Sequence, residues 1–379
     1  SGGLKNRRID ARLHSKDEAL QMEATAVVDL GGGERAYDAG ADIDRADLHA
    51  MNINRRDSIS VLSASVSASV RGNSLDEMNG GLSIADAVYR HGDETLDSDL
   101  VSVTIEGNED TRSVKLTSDF ADAVFECRSN YKDVIYYAKN LLNRYLPAMY
   151  AERDRLDIEQ RSEALRRNIA LLSVKTKRLD PLLDCITGGL EVSEGSSLLV
   201  FMNPADNRFV MRAKSDYIAK DRLLATELKM SVSNTGDSLA MKLSAADFYA
   251  GTLHLLNMGL DGGAKDNTLN LKGSFADTLR NVAGSVAVAA DFSRREGDAR
   301  HISMRVLPSR VTRGNRVWNI TSDGVEIDSA RIDVRRFMVR SANQELYLNG
   351  VASGSVQDSL LLRLRNFELA PFTQVAQRM

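Results

Sequence analysis

The chain of 379 residues is 43% hydrophobic and 27% charged, a composition typical of a folded globular protein rather than of a disordered one. Its 49 Lys and Arg residues against 53 Asp and Glu residues give a net charge of −4, which provides no electrostatic reason to expect nucleic acid as a partner. The sequence contains neither a signal peptide nor an apolar run of about 18 residues that could span a membrane as a helix. Because it opens with Ser-Gly-Gly and not with Met, we expect a piece of a longer protein.

The N-terminal part of the chain alternates apolar and polar residues, which is the period of a β-strand. The alternation begins at residues 9–13 and is most regular at residues 58–70, where Ser, Ala and Val follow one another. Asn79-Gly80-Gly81 marks a turn. Residues 100–105 and 114–116 are predicted to pair as a hairpin across a polar turn.

The apolar period changes to that of an α-helix in the section at residues 131–186. Val134, Leu141, Leu142 and Tyr145 form one apolar stripe. An amphipathic helix needs a partner surface, so we expect this stripe to pack across the apolar face of the sheet, where it could plug or cap one end. The later part of the section is predicted to hold a second helical run at about residues 153–172 and a short helix at residues 180–186.

Beyond residue 190 the strand period returns and continues to a final hairpin at residues 344–372. Arg363 and Arg365 lie on its polar face, because successive strand side chains alternate sides. The phase slips at Asn366, which predicts a bulge or a sharp bend and puts Phe367 on the arginine face. The apolar face of the hairpin is formed by Leu346, Leu348, Leu360, Leu362 and Leu364.

These periods predict a mainly β fold with a helical insertion at about residues 131–186. They divide the chain into a β segment at residues 1–130, the helical insertion at residues 131–188 and a second β segment at residues 189–379, which we expect to form one continuous architecture.

Cys127 and Cys185 flank the helical section. In an oxidising compartment they could form a disulfide that joins the section to the sheet. Such a bond, closing a loop of about 58 residues, would stabilise the fold by roughly 4 kcal/mol in the chain-entropy model. Two unpaired, buried thiols are equally compatible with the sequence.

A short pattern of a small residue, Asp and a large apolar residue recurs at residues 46–48, 118–120, 215–217 and 246–248. We interpret it as a device at strand ends, in which the Asp bonds nearby backbone at a turn and the large residue anchors the next strand. Chance recurrence is the alternative in a chain rich in Asp and Ala. The spacing is too irregular for a solenoid with one fixed period.

No residue pattern in the sequence predicts catalysis or metal binding. Neither a Gly-x-Ser-x-Gly string nor a Cys-and-His signature occurs, and the triple glycine at residues 31–33 lacks the residues of a phosphate-binding loop. We therefore predict a protein that is not an enzyme and that has no metal and no cofactor, while a buried carboxylate pair would escape detection. The histidines, none of which stands at a recognised metal-ligand spacing, are His14, His49, His91, His254 and His301.

Three strings in the last part of the chain carry a resemblance. They are Val317-Trp318-Asn319-Ile320 leading to Val325-Glu326-Ile327, then Gln344-Glu345-Leu346-Tyr347-Leu348-Asn349-Gly350, and Leu364-Arg365-Asn366-Phe367-Glu368-Leu369. Together with residues 72–80 and 140–147, they resemble the TamB family of envelope proteins in the form found in Bacteroidetes. The similarity covers nearly the whole chain, and the family's membrane anchor and extreme C-terminal region are not visible in it.

The resemblance implies an elongated, curled antiparallel or mixed sheet that forms an apolar trough across the periplasm, linked to outer-membrane assembly and to phospholipid movement between membranes. It implies a phospholipid or other acyl-chain ligand and, through regions outside this chain, a TamA-type barrel partner in the outer membrane. Exposing an acyl chain to water costs about 0.8 kcal/mol per CH₂, so a protein that carries lipid must cover it. The candidate groove residues are Val101, Val103, Ile105, Leu239, Met241, Leu243, Leu346, Leu348, Leu360, Leu362 and Leu364.

Two functions of other classes remain open. The first is a structural or adhesive β-rich module that binds a protein partner and whose apolar strand faces form a sealed core. The second is a carbohydrate-active β-helix enzyme with a carboxylate pair, which would usually show more aromatic stacking platforms than a chain with 6% aromatic residues and the single Trp318. Open or sealed apolar faces would separate the lipid carrier from the first of these.

Overall fold

The structure is a computed structural model that describes residues 2–5, 7–55, 57–108, 110–128, 130–151, 168–235, 237–251, 253–277, 281–295 and 299–366. Strands form most of the described chain, which confirms the predicted mainly β class. The chain divides into two compact units, unit 1 with residues 1–134 and 167–203 and unit 2 with residues 135–166 and 204–379. The second unit thus begins its continuous part after Asn203, whereas the sequence analysis placed the start of the second β segment at residue 189.

Unit 1 is an antiparallel meander in which each strand from β1 to β10 pairs with the next one along the chain. Strand β10 pairs in turn with β12. The strands of unit 1 are β1 (Gly2–Lys5), β2 (Arg8–Lys16), β3 (Leu20–Asp29), β4 (Ala36–Asp47), β5 (Ser60–Arg71), β6 (Asn79–His91), β7 (Glu94–Gly107), β8 (Arg112–Ser118), β9 (Ala121–Cys127), β10 (Ala170–Thr176), β11 (Leu190–Val192) and β12 (Ser197–Asn203).

Unit 2 continues in the same antiparallel style. Strand β19 pairs with β20 near its C-terminal end and with β21 near its N-terminal end, so β20 and β21 together replace one long strand. The strands are β13 (Arg208–Lys220), β14 (Leu223–Thr235), β15 (Ser238–Ala250), β16 (Leu253–Lys265), β17 (Thr268–Asp277), β18 (Val282–Arg295), β19 (Ala299–Arg313), β20 (Arg316–Thr321), β21 (Gly324–Asp328), β22 (Arg331–Ser341), β23 (Gln344–Ser353) and β24 (Leu360–Arg365).

The helical section contains α1 (Tyr131–Asn140), single 3₁₀ turns at Leu142–Arg144 and Pro147–Met149, and α2 (Asp180–Thr187). This confirms a helical insertion and the short helix at residues 180–186. The second predicted helical run is wrong at its C-terminal end, because Ala170–Thr176 forms strand β10 between β9 and β12. Residues 153–167 of that run lie outside the described residues, and so does Phe367.

Bulges interrupt the strands of both units. In unit 1 the register shifts where β4 meets β3 and β5, and again between β5 and β6. In unit 2 it shifts between β18 and β19 at Ser285 and Ala287, and between β22 and β23 beside Arg336, which has a φ of 42°. A bulge bends its strand and increases the local twist, so each sheet departs from a flat surface.

Neither Cys127 nor Cys185 forms a disulfide, so of the two alternatives left open by the sequence the disulfide is wrong. Cys127 pairs with Arg112, which pairs with Gly107 at one end of β7. Cys185 contacts His91, which pairs with Glu94 at the other end of β7. A strand rises about 3.3 Å per residue, so roughly 40 Å of β7 separates the two sites, far beyond disulfide reach.

Candidate functional site: the apolar sheet faces

In unit 1 the strand register aligns apolar side chains into rows that cross the whole sheet. Directly paired residues share a face, so each row is a line of neighbouring side chains on one side. The row through Val103 runs, in order of pairing, through Ala11, Ala26, Ala39, Ala68, Leu82, Val103, Leu116, Ala123, Val174 and Leu198. The row through Ile105 contains Ile9, Val28, Tyr37, Val70, Gly80, Ile105, Val114, Phe125, Leu172 and Val200.

The opposite face of unit 1 is polar. Next to the row of Val103, on the side of Val101, the register places a line of mostly charged and hydroxyl side chains that point the other way. Ser65 and Ser69 on this face donate hydrogen bonds of 2.8 and 2.6 Å to Asp42 and Asp38 across the β4–β5 pair. The polar line consists of Arg12, Thr25, Gly40, Ser67, Ser83, Ser102, Thr117, Asp122, Lys175 and Ser197.

The apolar face of unit 1 is open over strands β2 to β6. Leu13 is 54% exposed and Leu82 is 37% exposed, although both lie in the middle of the apolar pattern. A cavity of about 410 Å³ lies over alanine side chains of β2, β3 and β4 together with Val66 and Ala68 of β5. A larger concavity of about 930 Å³ lies over the polar face, beside Arg12, Glu23 and Asp42, and its charged lining is unsuited to an acyl chain.

The candidates on β7 therefore share one surface. Val101, Val103 and Ile105 alternate along the strand and face Ile84, Leu82 and Gly80 of β6. All three are partly exposed. The structure brings them together as the sequence period predicted, in the middle of the unit 1 sheet.

In unit 2 the candidates on β15, β23 and β24 also lie on one apolar face. Met241 belongs to a row with Val232, Gly262, Leu271 and Val288. Leu243 lies beside it, opposite Met230 and Leu260. The row that contains both Leu239 and Leu360 consists of Asn234, Leu239, Ala264, Leu269, Ala290, Met304, Val325, Val334, Gly350 and Leu360.

Coverage differs strongly along this face. Leu239 is buried, at 8% exposed, whereas Met241 and Leu243 are partly exposed. Leu346 and Leu348 are partly exposed and face Leu364 and Leu362. Every residue of β24 is exposed, because in the described chain this strand pairs only with β23.

A segment from the helical section covers the unit 2 face at the end where Asn234 lies. We call residues 141–150 the cap segment. Its Leu141 and Leu146 are buried and Tyr145 is only 1% exposed. Leu142, another member of the predicted stripe, is exposed. The amide of Asn234 donates a hydrogen bond of 2.8 Å to the hydroxyl of Tyr145, so the cap segment contacts a strand of the apolar face.

Three histidine clusters lie outside the apolar rows, and no residue spacing in the sequence predicted them. His91 Nε2 is 2.9 Å from the thiol of Cys185 and 3.4 Å from Glu94. Burial, followed by the negative charges of Glu94 and Asp184, raises the pKa of the Cys185 thiol above its ordinary value. A thiol held in its neutral form is a weak nucleophile, so this pair has the chemistry of a structural contact.

The other two clusters join neighbouring strands. His254 Nε2 lies 2.8 Å from Asp247 and its ring stacks on Tyr249 at 4.0 Å. The imidazole of His301 lies 2.7 Å from Asp328 through Nδ1 and 2.9 Å from Glu326 through Nε2. The hydrogen bond from His301 lowers the pKa of Asp328. Among the described residues no group of three or more His, Cys, Asp or Glu side chains is arranged to hold a metal ion.

The recurring Asp pattern has two different roles. Asp47 accepts a hydrogen bond from the backbone amide of Ala50 in a turn. Asp119 accepts hydrogen bonds from Ser98 and from the amides of Asp99 and Leu100. Asp247 lies inside β15 and bonds side chains instead, so the interpretation as one strand-end device does not hold for it.

Comparison of the sequence with protein-family models and with curated proteins, and of the fold with solved structures, finds no match. In the described chain no helix has the length and apolar character needed to cross a membrane. The TamB resemblance stays a prediction.

Proposed function

We propose that the apolar strand faces of the two units carry the acyl chains of phospholipids, as an interior, periplasmic part of a TamB-like protein that moves lipid between the inner and outer membranes. Unfolded strands of outer-membrane proteins are the alternative cargo on the same faces. The proposal is one of binding and carriage without catalysis. The partner at the outer membrane would be a TamA-type barrel, engaged through regions outside this chain.

The observation that carries this proposal is the continuous apolar row that stays partly exposed. In a sealed sandwich, a second layer of side chains would bury the inner face of each sheet. Here the rows of unit 1 extend from β2 to β12, and their members Ile9 and Leu82 remain exposed, as does Leu13 of the adjacent row through Val101. Large exposed apolar surfaces in proteins usually mark a place where something binds. An extended surface of small and branched side chains suits a flexible hydrocarbon chain, because it makes no demand for specific polar contacts.

The test is to find the lipid and to locate it. Lipid extraction and mass spectrometry of the purified protein should detect bound phospholipid. A photo-crosslinking amino acid at Val103 should then form lipid adducts. The same probe at Thr104, which points to the other face of the sheet and pairs with Lys115, should form none. In unit 2, Met241 and Lys242 form an equivalent pair. Absence of lipid, or equal adducts at both members of a pair, would contradict the proposal.

A second candidate, a β-rich module that binds a protein partner, is favoured by β24. Its Leu360, Leu361, Leu362 and Leu364 are exposed, and natural proteins usually protect such an apolar edge strand. A partner strand could extend the sheet there and cover these leucines. Under this candidate, purified protein would contain no lipid, and crosslinks from Leu362 would reach protein only.

A further inference from the structure

Polar side chains interrupt the apolar face of unit 2 at one end, and they hold the same segment. Asn234 is the β14 member of the row that continues through Leu239 and Ala264. Arg294 lies four residues after Ala290 of that row, and therefore on the same face of β18. The amide of Asn234 donates to the hydroxyl of Tyr145 at 2.8 Å, and Arg294 Nε donates to the carbonyl of Ala148 at 2.8 Å.

A third anchor lies in the turn between β16 and β17. The backbone amide of Asn267 donates to the carbonyl of Tyr145 at 2.9 Å, and its side-chain oxygen accepts a hydrogen bond of 2.7 Å from the amide of Ala148. Asn267 has a φ of 65°, a conformation that Asn tolerates better than most residues. The cap segment is therefore held at Tyr145 and Ala148 by four hydrogen bonds to three residues of the sheet, Asn234, Asn267 and Arg294.

We infer that the cap segment is a displaceable cap over the end of the acyl-binding face of unit 2, exchanging places with the lipid chain that the proposed function puts there. The inference rests on that proposed function. When the cap is down, the side chain of Tyr145 lies against Asn234, and its neighbour Leu146 is buried. When an acyl chain extends to this end, it takes over the apolar contacts, and the cap lifts.

The construction of the cap suits reversible binding. It consists of two single 3₁₀ turns, which have few hydrogen bonds of their own and poor hydrogen-bond geometry. It is not paired into the sheet as a strand. Its apolar contacts can be replaced by hydrocarbon, whereas its hydrogen bonds to Asn234, Asn267 and Arg294 cannot. Those bonds therefore hold the cap in place when no lipid is present and set the resistance to its displacement.

The experiment compares two neighbouring positions of β17 that share the apolar face. Leu269 lies in the row of Asn234 and two residues after Asn267, which bonds the cap, and Leu271 lies in the next row, with Met241. With a photo-crosslinking residue at either position and vesicles of phosphatidylethanolamine and phosphatidylglycerol, we expect lipid adducts at Leu271 and severalfold fewer at Leu269. Tyr145→Ala should raise the adducts at Leu269 severalfold and leave those at Leu271 unchanged. Tyr145→Phe, which keeps the ring and loses only the bond to Asn234, should raise them less.

Amide hydrogen exchange gives a readout that needs no crosslink. The amide of Asn267 donates to the carbonyl of Tyr145 in the cap, and the amide of Ala148 in the cap donates to the side chain of Asn267. The protection of both amides should therefore fall when vesicles are added. The amide of Phe292 donates to the carbonyl of Asn267 at 2.8 Å, a bond that involves no atom of the cap, and it should stay protected. This control separates lifting of the cap from unfolding of the sheet.

Each outcome decides the inference. Equal adducts at Leu269 and Leu271 in the unmodified protein would show that the cap closes nothing. Adducts at Leu271 alone, unchanged by Tyr145→Ala, with full protection of Asn267 in lipid, would make the cap a fixed part of the fold and leave the proposed function standing. No adducts at either position in any variant would refute the proposed function and the cap with it.

Discussion

Leu362 on β24 lies directly opposite Leu348 on β23, yet Leu362 is 57% exposed while Leu239, in the same alternating pattern on β15, is 8% exposed. Strand β15 has neighbours on both sides, and Leu239 pairs with Asn234, which bonds the cap segment. Strand β24, in the described chain, has a neighbour on one side only. Equal positions in the strand period therefore have unequal energetic consequences.

We expect Leu362→Arg to leave the fold intact, with a change in unfolding free energy within about 0.5 kcal/mol, as for most surface substitutions. The new guanidinium can reach water from the edge strand. Leu239→Arg should destabilise the protein by several kcal/mol, since a buried charge without a partner is costly. Thermal unfolding of both variants is the measurement, and equal losses would mean that β24 is covered.

Arg363→Leu is a control for the other face of β24. It removes the stacking of the guanidinium on Tyr347, at 5.7 Å from the ring centroid, which contributes about 0.5–1 kcal/mol at an exposed site. It should leave lipid loading unchanged.

Gly80→Ala should disrupt the apolar face of unit 1. Gly80 has a φ of 140°, and a Cβ there would collide with the carbonyl oxygen of Ser69 and lie 2.8 Å from the Cα of Val70. We expect a loss of about 1–3 kcal/mol or more in unfolding free energy, because both the backbone conformation and the close approach of β5 require glycine. Gly33→Ala, where a Cβ would meet nothing within 4 Å, should be near neutral. Denaturant midpoints with unchanged slopes would measure both effects. Equal midpoints for Gly80→Ala and Gly33→Ala would contradict the close approach of β5 to Gly80.

Asp119 should contribute to acid sensitivity. The hydrogen bond from Ser98, followed by those from the amides of Leu100 and Asp99, lowers the pKa of Asp119 below its ordinary value of 3.8. A carboxyl group with a lower pKa in the folded state stabilises the fold above its unfolded pKa, and this stabilisation is lost as the pH falls through the folded value. Asp119→Asn should therefore be less stable than the unmodified protein near neutral pH, by about 1 kcal/mol, and the difference should shrink below about pH 4. A difference that is constant between those pH values would show that the carboxylate charge has no part in these bonds.

The thiols should respond to alkylation and not to reduction. Because no disulfide joins Cys127 and Cys185, a reducing agent should leave the melting temperature unchanged. Burial raises the pKa of the Cys185 thiol, so its alkylation should be slow near neutral pH and accelerate as the pH rises past its ordinary value of 9.0. Cys127 is buried in β9 and should react only on unfolding. A lower melting temperature in reducing agent would show that a bond forms in solution.

The sequence by itself determined the strand periods and the faces on which the candidate residues lie. Val101, Val103 and Ile105 share a side because side chains alternate along any strand, and this needs no knowledge of the neighbours. The same local logic located α1 and α2. It failed at Ala170–Thr176, because a short apolar run fits the end of a helix as well as a strand, and pairing with β9 and β12 decided for the strand.

Only the tertiary structure decided how those faces are arranged and covered. Strand register depends on partners far along the chain. The register alone aligned Leu239 with Leu360 in one row and made Asn234 of β14 the first member of that row. The distance between Cys127 and Cys185 likewise follows from which end of β7 each one meets, and the contact of Cys185 with His91 joins residues 94 positions apart. Exposure of an apolar residue depends on whether another element lies over it. A period of two residues specifies which way a side chain points, and contacts between distant parts of the chain specify what it meets there.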